Sequence, residues 1–368
     1  MNSELLYQLS LTLIPNIGPV QAKILLQHCN AEELFHAKKN FLEKIEGIGP
    51  IRAASIAAFK NFAQAEEEIK FIQKYKIQPL FITDTAYPRR LLNCYDSPTL
   101  LFYKGEADLN ATKMVAVIGT RSHTEYAKQV TEKLVKELTE QQVTIVSGLA
   151  FGVDAIAHKA AIKNGLPTVG VLAHGLDQLY PAEHAGLAKD MLKHQGGLLT
   201  EFRSGSKPDK HNFPTRNRVV AGMCDATIVV ETGLKGGSMI TAELSNSYNK
   251  DVFAIPGKVT DAKSAGCNYL IKNNKAILLT DASELIQIMQ WEDKVKSRKE
   301  KKSQRELFIE LTPEEKIVVA ILREKETVNI DELNGKSGLS SSAVAGAILS
   351  LELQGVIISK PGKLYSLN

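Results

Sequence analysis

Along the middle of the chain, short apolar runs alternate with amphipathic stretches of helical period. MVAVIG from Met114, TIVSG from Thr144, TVGVLA from Thr168, GLLTEF from Gly197, ATIVVE from Ala226 and DVFAIPG from Asp251 are apolar at nearly every position. A strand exposed on one face alternates apolar and polar residues; a strand with no polar face must be covered on both sides. The alternation therefore predicts a doubly wound α/β fold, a parallel sheet sandwiched between helices. Between residues 64 and 110 the pattern is weaker. A charged helix from Glu66 to Tyr75 is followed by QPLFITDTAYPRRLLNCYDSPTLLFYKG, where apolar runs are broken by turn residues.

The two ends follow other rules. LIPNIGPVQAKILL from Leu13 and KIEGIGPIRAASIAAF from Lys44 are similar phrases, each predicting helix, tight turn, helix. Gly18 and Gly49 are the expected turn points, Pro19 and Pro50 suit the first turn of the following helix, and Ala22, Ala53 and Ala54 allow close packing. Both phrases resemble helix-hairpin-helix motifs, whose backbone amides contact phosphates without reading bases; Gly49 and Arg52 would then be an auxiliary DNA contact. The other reading is two hairpins packed into a helical cap. WEDKVKSRKEKKSQRE, from Trp291, has little to bury and reads as a charged linker. After it, a helix capped at Thr312 with Pro313 in its first turn, two further helices and two short strands around Pro361 and Gly362 form a winged-helix pattern. The helix from Ser340 to Gln354 carries no Lys or Arg, so base reading in a major groove is not expected of it. The expected organisation is a helical domain over 1–65, an α/β domain over 66–290, a linker over 291–311 and a winged helix over 312–368.

A length of 368 residues is consistent with several domains, and 44% hydrophobic with 23% charged residues excludes general disorder. The formal net charge of +4 is too small to indicate a nucleic-acid ligand by itself, so such a reading depends on where the charges sit. Cys29, Cys94, Cys224 and Cys267 form no CxxC pair, which argues against a zinc ribbon or a disulfide framework. The first residues lack the basic start of a signal peptide, and no apolar run is long enough to span a membrane; a cytoplasmic protein is expected.

In an open parallel sheet, ligands bind beyond the carboxyl ends of the strands. Four loops lie there. GTRSHTEY offers Gly119, Arg121 and Ser122, and its spacing is not that of a dinucleotide fingerprint. SGLAFGVDAIAH offers Gly148 and Gly152, with Asp154 and His158 four apart on one helix face, either an acid-base couple or a structural hydrogen bond fixing the loop; the latter is favoured, since no nucleophile or metal-ligand set accompanies them. RSGSKPDKHNFPTRNR sets Lys207, Lys210, Arg216 and Arg218 around Phe213, with Asn217 between the arginines. Cations beside an aromatic suit single-stranded DNA, which needs phosphate contacts and a stacking surface, whereas Phe213 as an ordinary core residue is the plainer alternative. ETGLKGGSMITAEL places Lys235, Gly236, Gly237 and Ser238 ahead of a helix, where free amides hold anions.

Taken in order, VAVIGTRSHTEYA, SGLAFGVDAIAH, GLDQLYP, FPTRNRVVAG, GGSMITA, VFAIPG and GCNYLIK resemble the bacterial DNA-processing DprA family, also called Smf, over roughly Tyr87 to Ile288. The resemblance implies a Rossmann-like, cytoplasmic homodimer that binds single-stranded DNA and loads the RecA recombinase during natural transformation. It also implies action on strands coated by single-strand binding protein, and no established catalytic activity, cofactor or metal. On this mapping Arg121 is the motif arginine of the first loop, Phe213, Arg216, Asn217 and Arg218 are the FPxRNR phrase, and Lys210 lies where a DNA-contacting lysine is similar in position. His184, Arg203 and the AGMCD phrase depart from the family pattern. A different class remains as the alternative: a nucleotide-binding enzyme or sensor that hydrolyses an N-glycosidic bond, with Glu231 or Glu243 as its acid-base group.

Overall fold

Strand β3, Met114–Ile118, is buried at all five positions, and its side chains divide by the two-residue period of a strand. Val115 and Val117 join the core under helices Glu125–Glu137 and Val153–Lys163. Met114, Ala116 and Ile118 join the opposite core, under helices Asn212–Gly222 and Gly237–Ser247. The other central strands repeat the pattern: β4 Thr144–Ser147, β5 Thr168–Val171, β6 Gly197–Thr200 and β7 Ala226–Val229 are buried throughout, and β8 Asp251–Ala254 is buried apart from Asp251. The structure, a computed structural model, describes residues 3–292, 311–325, 327–360 and 364–367.

With β1 Gln78–Phe81, β2 Leu100–Gly105 and β9 Ile277–Leu278, the sheet has nine strands among the described residues, in the order β1-β2-β6-β5-β4-β3-β7-β8-β9. The six expected strands are all present and parallel. Three more extend it. β1 Gln78–Phe81 and β2 Leu100–Gly105 form an antiparallel pair, and β2 also pairs antiparallel with β6, with Phe102 opposite Thr200. β9 Ile277–Leu278 adds to β8 at the far edge. From β3 the chain steps outward through β4, β5 and β6, then returns to β3's other side for β7 and β8. The direction of winding reverses between β3 and β7, and the crevice there is where a doubly wound sheet takes its ligand.

The expected boundary at residue 65 is not a break in packing. The described residues up to 291 form one compact unit, and a single core runs from Leu9 and Leu25 of the N-terminal helices through Phe102 to Leu270. The two hairpins are present, but the turn chemistry of the first differs from the expectation. Gly18 has φ −96°, an ordinary extended value, and the left-handed residue is Asn16, a type that tolerates it. In the second hairpin Gly47 and Gly49 are both left-handed.

The C-terminal unit, described from residue 311, is a winged helix. Thr312 and Glu315 form a reciprocal cap on helix Pro313–Glu324, followed by helices Ile330–Ser337 and Ser341–Leu353. Strands β10 Val328–Asn329, β11 Ile357–Lys360 and β12 Leu364–Leu367 make its sheet, in the order β10-β12-β11. Val318, Leu322, Leu333, Val344 and Leu351 form its core. Most of the expected linker, and the turn at Pro361 and Gly362, lie outside the described residues. Among the described residues, no helix is long and apolar enough to cross a membrane.

Candidate nucleic-acid interface

A cleft of about 430 Å³ opens at the reversal point between β3 and β7. Gly119, Thr120 and Arg121 border it from the loop after β3, Gly148, Ala150 and Asp154 from the loop after β4, and Lys235, Gly236, Gly237 and Ser238 from the loop after β7. Phe213, Arg216 and Asn217 close it from the helix that leads into β7. Loops far apart in sequence thus converge because their strands are neighbours.

The walls are fixed by hydrogen bonds within the protein. The Thr120 amide donates to the Glu231 carbonyl at 2.7 Å, and the Glu231 carboxylate accepts from the Thr124 amide at 2.9 Å and hydroxyl at 2.6 Å. Thr124 in turn caps helix Glu125–Glu137. Asn217 donates to the Gly237 carbonyl at 3.1 Å, joining two neighbouring helices that border the cleft, and the Ser238 hydroxyl donates to Thr232 at 2.7 Å. Two glycines serve this packing. A β-carbon at Gly119 would lie 2.5 Å from Val153, and one at left-handed Gly152 would lie 2.1 Å from the Thr120 carbonyl. Gly152 itself does not line the cleft. Neither does Ser122, whose carbonyl accepts from Lys263 at 2.7 Å.

The basic residues divide into two groups. Arg121 is exposed, with its guanidinium 5.2 Å from the centre of the half-buried Phe213 ring, within cation–π range. Lys235 is exposed on the opposite lip, and Lys210 is exposed on the loop before the helix but outside the cleft lining. Arg216 and Arg218 are only 5% and 8% exposed. Arg216 borders the cleft, yet its Nη1 donates to the carbonyls of Gly148 and Val171, both at 2.5 Å, so it ties together the ends of β4 and β5. Burial lowers its guanidinium to about 10, and the nearby Asp154 opposes that shift. Arg218 does not reach the cleft. It pairs with Glu201 and donates to the Asp96 carbonyl. Glu201 is pushed up to about 7 by burial, with Arg218 acting against the shift. The expectation that Arg218 contacts DNA is therefore corrected: a buried guanidinium needs an internal counter-charge, and Glu201 supplies it.

The acid-base candidates are likewise committed to structure. Asp154 accepts from the amides of Gly148 and Ala150 at 3.1 and 3.3 Å, holding the loop after β4; burial raises its pKa. His158 is fully buried with Nδ1 2.6 Å from the Thr168 hydroxyl. That hydroxyl donates to the Ile145 carbonyl, so Nδ1 carries the proton. Burial lowers the His158 pKa to about 3, and the charges of His184 and Arg216 add to the effect. Asp154 and His158 thus hold different segments: Asp154 fixes the loop, as expected, while His158 bonds to Thr168 of β5 instead. Glu231 is buried and occupied by Thr124, while Glu243 is exposed and pairs with Lys275 away from the cleft. Neither acidic residue of the hydrolase alternative is available to a ligand there. Among the described residues, no cluster of three or more His, Cys, Asp or Glu could hold a metal.

In the N-terminal hairpins, Arg52 donates to the carbonyls of Asn16 and Gly47 at 3.2 and 3.0 Å. It links the two turns, where the sequence suggested a phosphate contact beside Gly49. The cleft's rim also holds residues not singled out from the sequence. Tyr180, in GLDQLYP, has its ring centre 6.0 Å from that of Phe213, and Phe151 lies nearby. The signal was an aromatic residue directly before a proline in a loop.

Fold and site together define a doubly wound α/β protein with a cationic, aromatic-rimmed cleft at its winding reversal and a winged helix at its C-terminal end. A profile of the family described as DNA recombination-mediator protein A matches residues 78–290, and one for the DprA winged helix domain matches residues 304–363. The chain is 30% identical to the protein Smf of Synechocystis sp., over 99% of both chains. It is 41% identical to the DNA processing protein DprA of Streptococcus pneumoniae, over 57% of this chain and 74% of that one. The chain belongs to the DprA/Smf family. Among solved structures, that of Streptococcus pneumoniae DprA aligns with a TM-score of 0.65 at 32% identity, covering 78% of this chain and 98% of the other. That of Helicobacter pylori DprA, described for its single-stranded DNA binding mode, aligns with a TM-score of 0.53 at 30% identity, covering 58% and 96%.

Proposed function

We propose that this protein binds single-stranded DNA in the switch-point cleft and delivers it for recombination. The observation that carries the reading is the pairing of exposed Arg121 with the Phe213 ring at the cleft mouth, opposite Lys235 and the exposed glycines before helix Gly237–Ser247. A strand offers what this arrangement takes: phosphates for Arg121, Lys235 and the amides at the helix start, and a base face for the aromatic rim. The single-stranded DNA binding described for the Helicobacter pylori relative supports it. The ligand-facing residues of this reading are Arg121, Phe213, Lys235, Gly236 and Gly237, with Lys210 as an outlying phosphate contact. Gly119, Gly148, Asn217 and Ser238 shape the walls.

Family membership extends the proposal to loading of the RecA recombinase on strands coated by single-strand binding protein, by a cytoplasmic homodimer, during natural transformation. The role is binding and handover, with no catalytic step. The test is a gel shift across a salt series, comparing oligo-dT with duplex of equal length, followed by RecA filament formation on coated strands with and without the protein. Preference for the single strand and faster RecA nucleation are expected. Preference for duplex overturns the reading.

A further inference from the structure

We infer that Tyr180 is a second base-stacking surface, so that the site takes two neighbouring nucleotides of a strand. The inference rests on the reading of the cleft as a single-strand site. Tyr180 is 46% exposed, yet the loop that carries it is held rigidly. His174, buried just beyond β5, has Nδ1 2.9 Å from the Gly175 carbonyl and accepts the Tyr180 amide on Nε2 at 3.1 Å. A neutral imidazole has one donor and one acceptor, and both are used here, which makes Nδ1 the donor. The same loop is held against the following segment, where the Ser206 carbonyl accepts from the Gly175 amide at 3.0 Å and the Gln178 side chain at 2.9 Å. An aromatic ring left in water on a backbone fixed this firmly is a preformed platform.

The surroundings select its ligand. Tyr180, Phe151 and Phe213 border a narrow recess of about 20 Å³. The base is placed on the solvent-facing side of Tyr180, which is 46% exposed, and not in the recess between the rings. Phe213 is half-buried, with the Arg121 guanidinium and the Tyr180 ring both against it, so Tyr180 offers the freer aromatic face. Arg121 borders both this space and the main cleft, within reach of the phosphate that would link a base at Tyr180 to the next nucleotide in the cleft. A lone exposed tyrosine needs no explanation. A pinned one in an aromatic cluster on a cationic rim does.

The test separates stacking from phosphate contact by comparing oligo-dT with an abasic strand of equal length. Y180A is expected to lose about tenfold or more in affinity for oligo-dT while binding the abasic strand within about twofold of the parent, since stacking needs the base and phosphate contacts do not. Y180W in a W291F background, which removes the protein's one native tryptophan, reports the contact directly. Its emission is expected to be quenched by oligo-dT and unchanged by the abasic strand. Undiminished oligo-dT binding by Y180A, or Y180W emission that ignores saturating oligo-dT, overturns the inference even where the parent binds. A parent that fails to bind oligo-dT overturns the single-strand reading itself.

Discussion

Arg121 and Arg218 are both prominent basic residues of sequence motifs around one sheet, and the molecule uses them in opposite ways. Arg121 stands in a loop, exposed, with an aromatic face as its protein neighbour. Arg218 stands in a helix whose residues from Arg216 to Gly222 are all buried, and it faces Glu201. A motif's charge therefore indicates its role only once its surroundings are known. On a loop tip the charge waits for a ligand, while inside a buried helix it must be answered by the protein.

The sharpest way to break this comparison is to delete the buried charge. R218A leaves Glu201 without its partner and is expected to cost roughly 3–5 kcal/mol of stability, read from the denaturant midpoint, while folded protein still binds oligo-dT. Loss of DNA binding with stability intact would reverse the assignment.

A second test probes the buried side through pH. His158 is lowered from its ordinary 6.5 to about 3 on folding, so between those values the unfolded chain takes up a proton that the native state refuses. Its contribution to stability is full above about 6.5 and is lost as pH falls toward 3. Between pH 7 and 5 this amounts to about 2 kcal/mol. H158N is expected to show a correspondingly smaller loss over that range, whatever its stability at pH 7; an identical pH slope in parent and variant would contradict the buried neutral imidazole.

The smallest change in free energy is expected at the exposed arginine. R121A should weaken oligo-dT binding about tenfold, or about 1.4 kcal/mol, and reduce the magnitude of its log–log salt slope by about 0.7. Its unfolding free energy should stay within about 0.5 kcal/mol of the parent. A large drop in stability would place Arg121 with Arg218 and dissolve the contrast.

The central strands were legible in the sequence because each is apolar along its length, a pattern that only two-sided burial produces. The cleft was legible for a related reason: once the strands are parallel, their following loops must share one edge. β9 was not legible, since Ile277 and Leu278 are both exposed and carry no burial signal. The first hairpin's turn was misassigned because Asn16, not the more obvious Gly18, takes the left-handed conformation. The burial of Arg216 and Arg218 is not legible, because composition cannot tell a helix's buried cations from exposed ones. Their partners, the carbonyls of Gly148 and Val171 and the carboxylate of Glu201, come from other segments. Tyr180 is not legible either, because its significance lies in the neighbour that pins it, His174.

Glu231 binds the loop after β3 through its carbonyl and its carboxylate while standing at the end of β7. The two lips of the cleft are thus fastened before any ligand arrives. Little chain freedom is left to surrender on association, so the ordering penalty that weakens many flexible binding loops is small here. The cleft should behave as a preorganised receptor, with association governed by electrostatic encounter more than by loop closure.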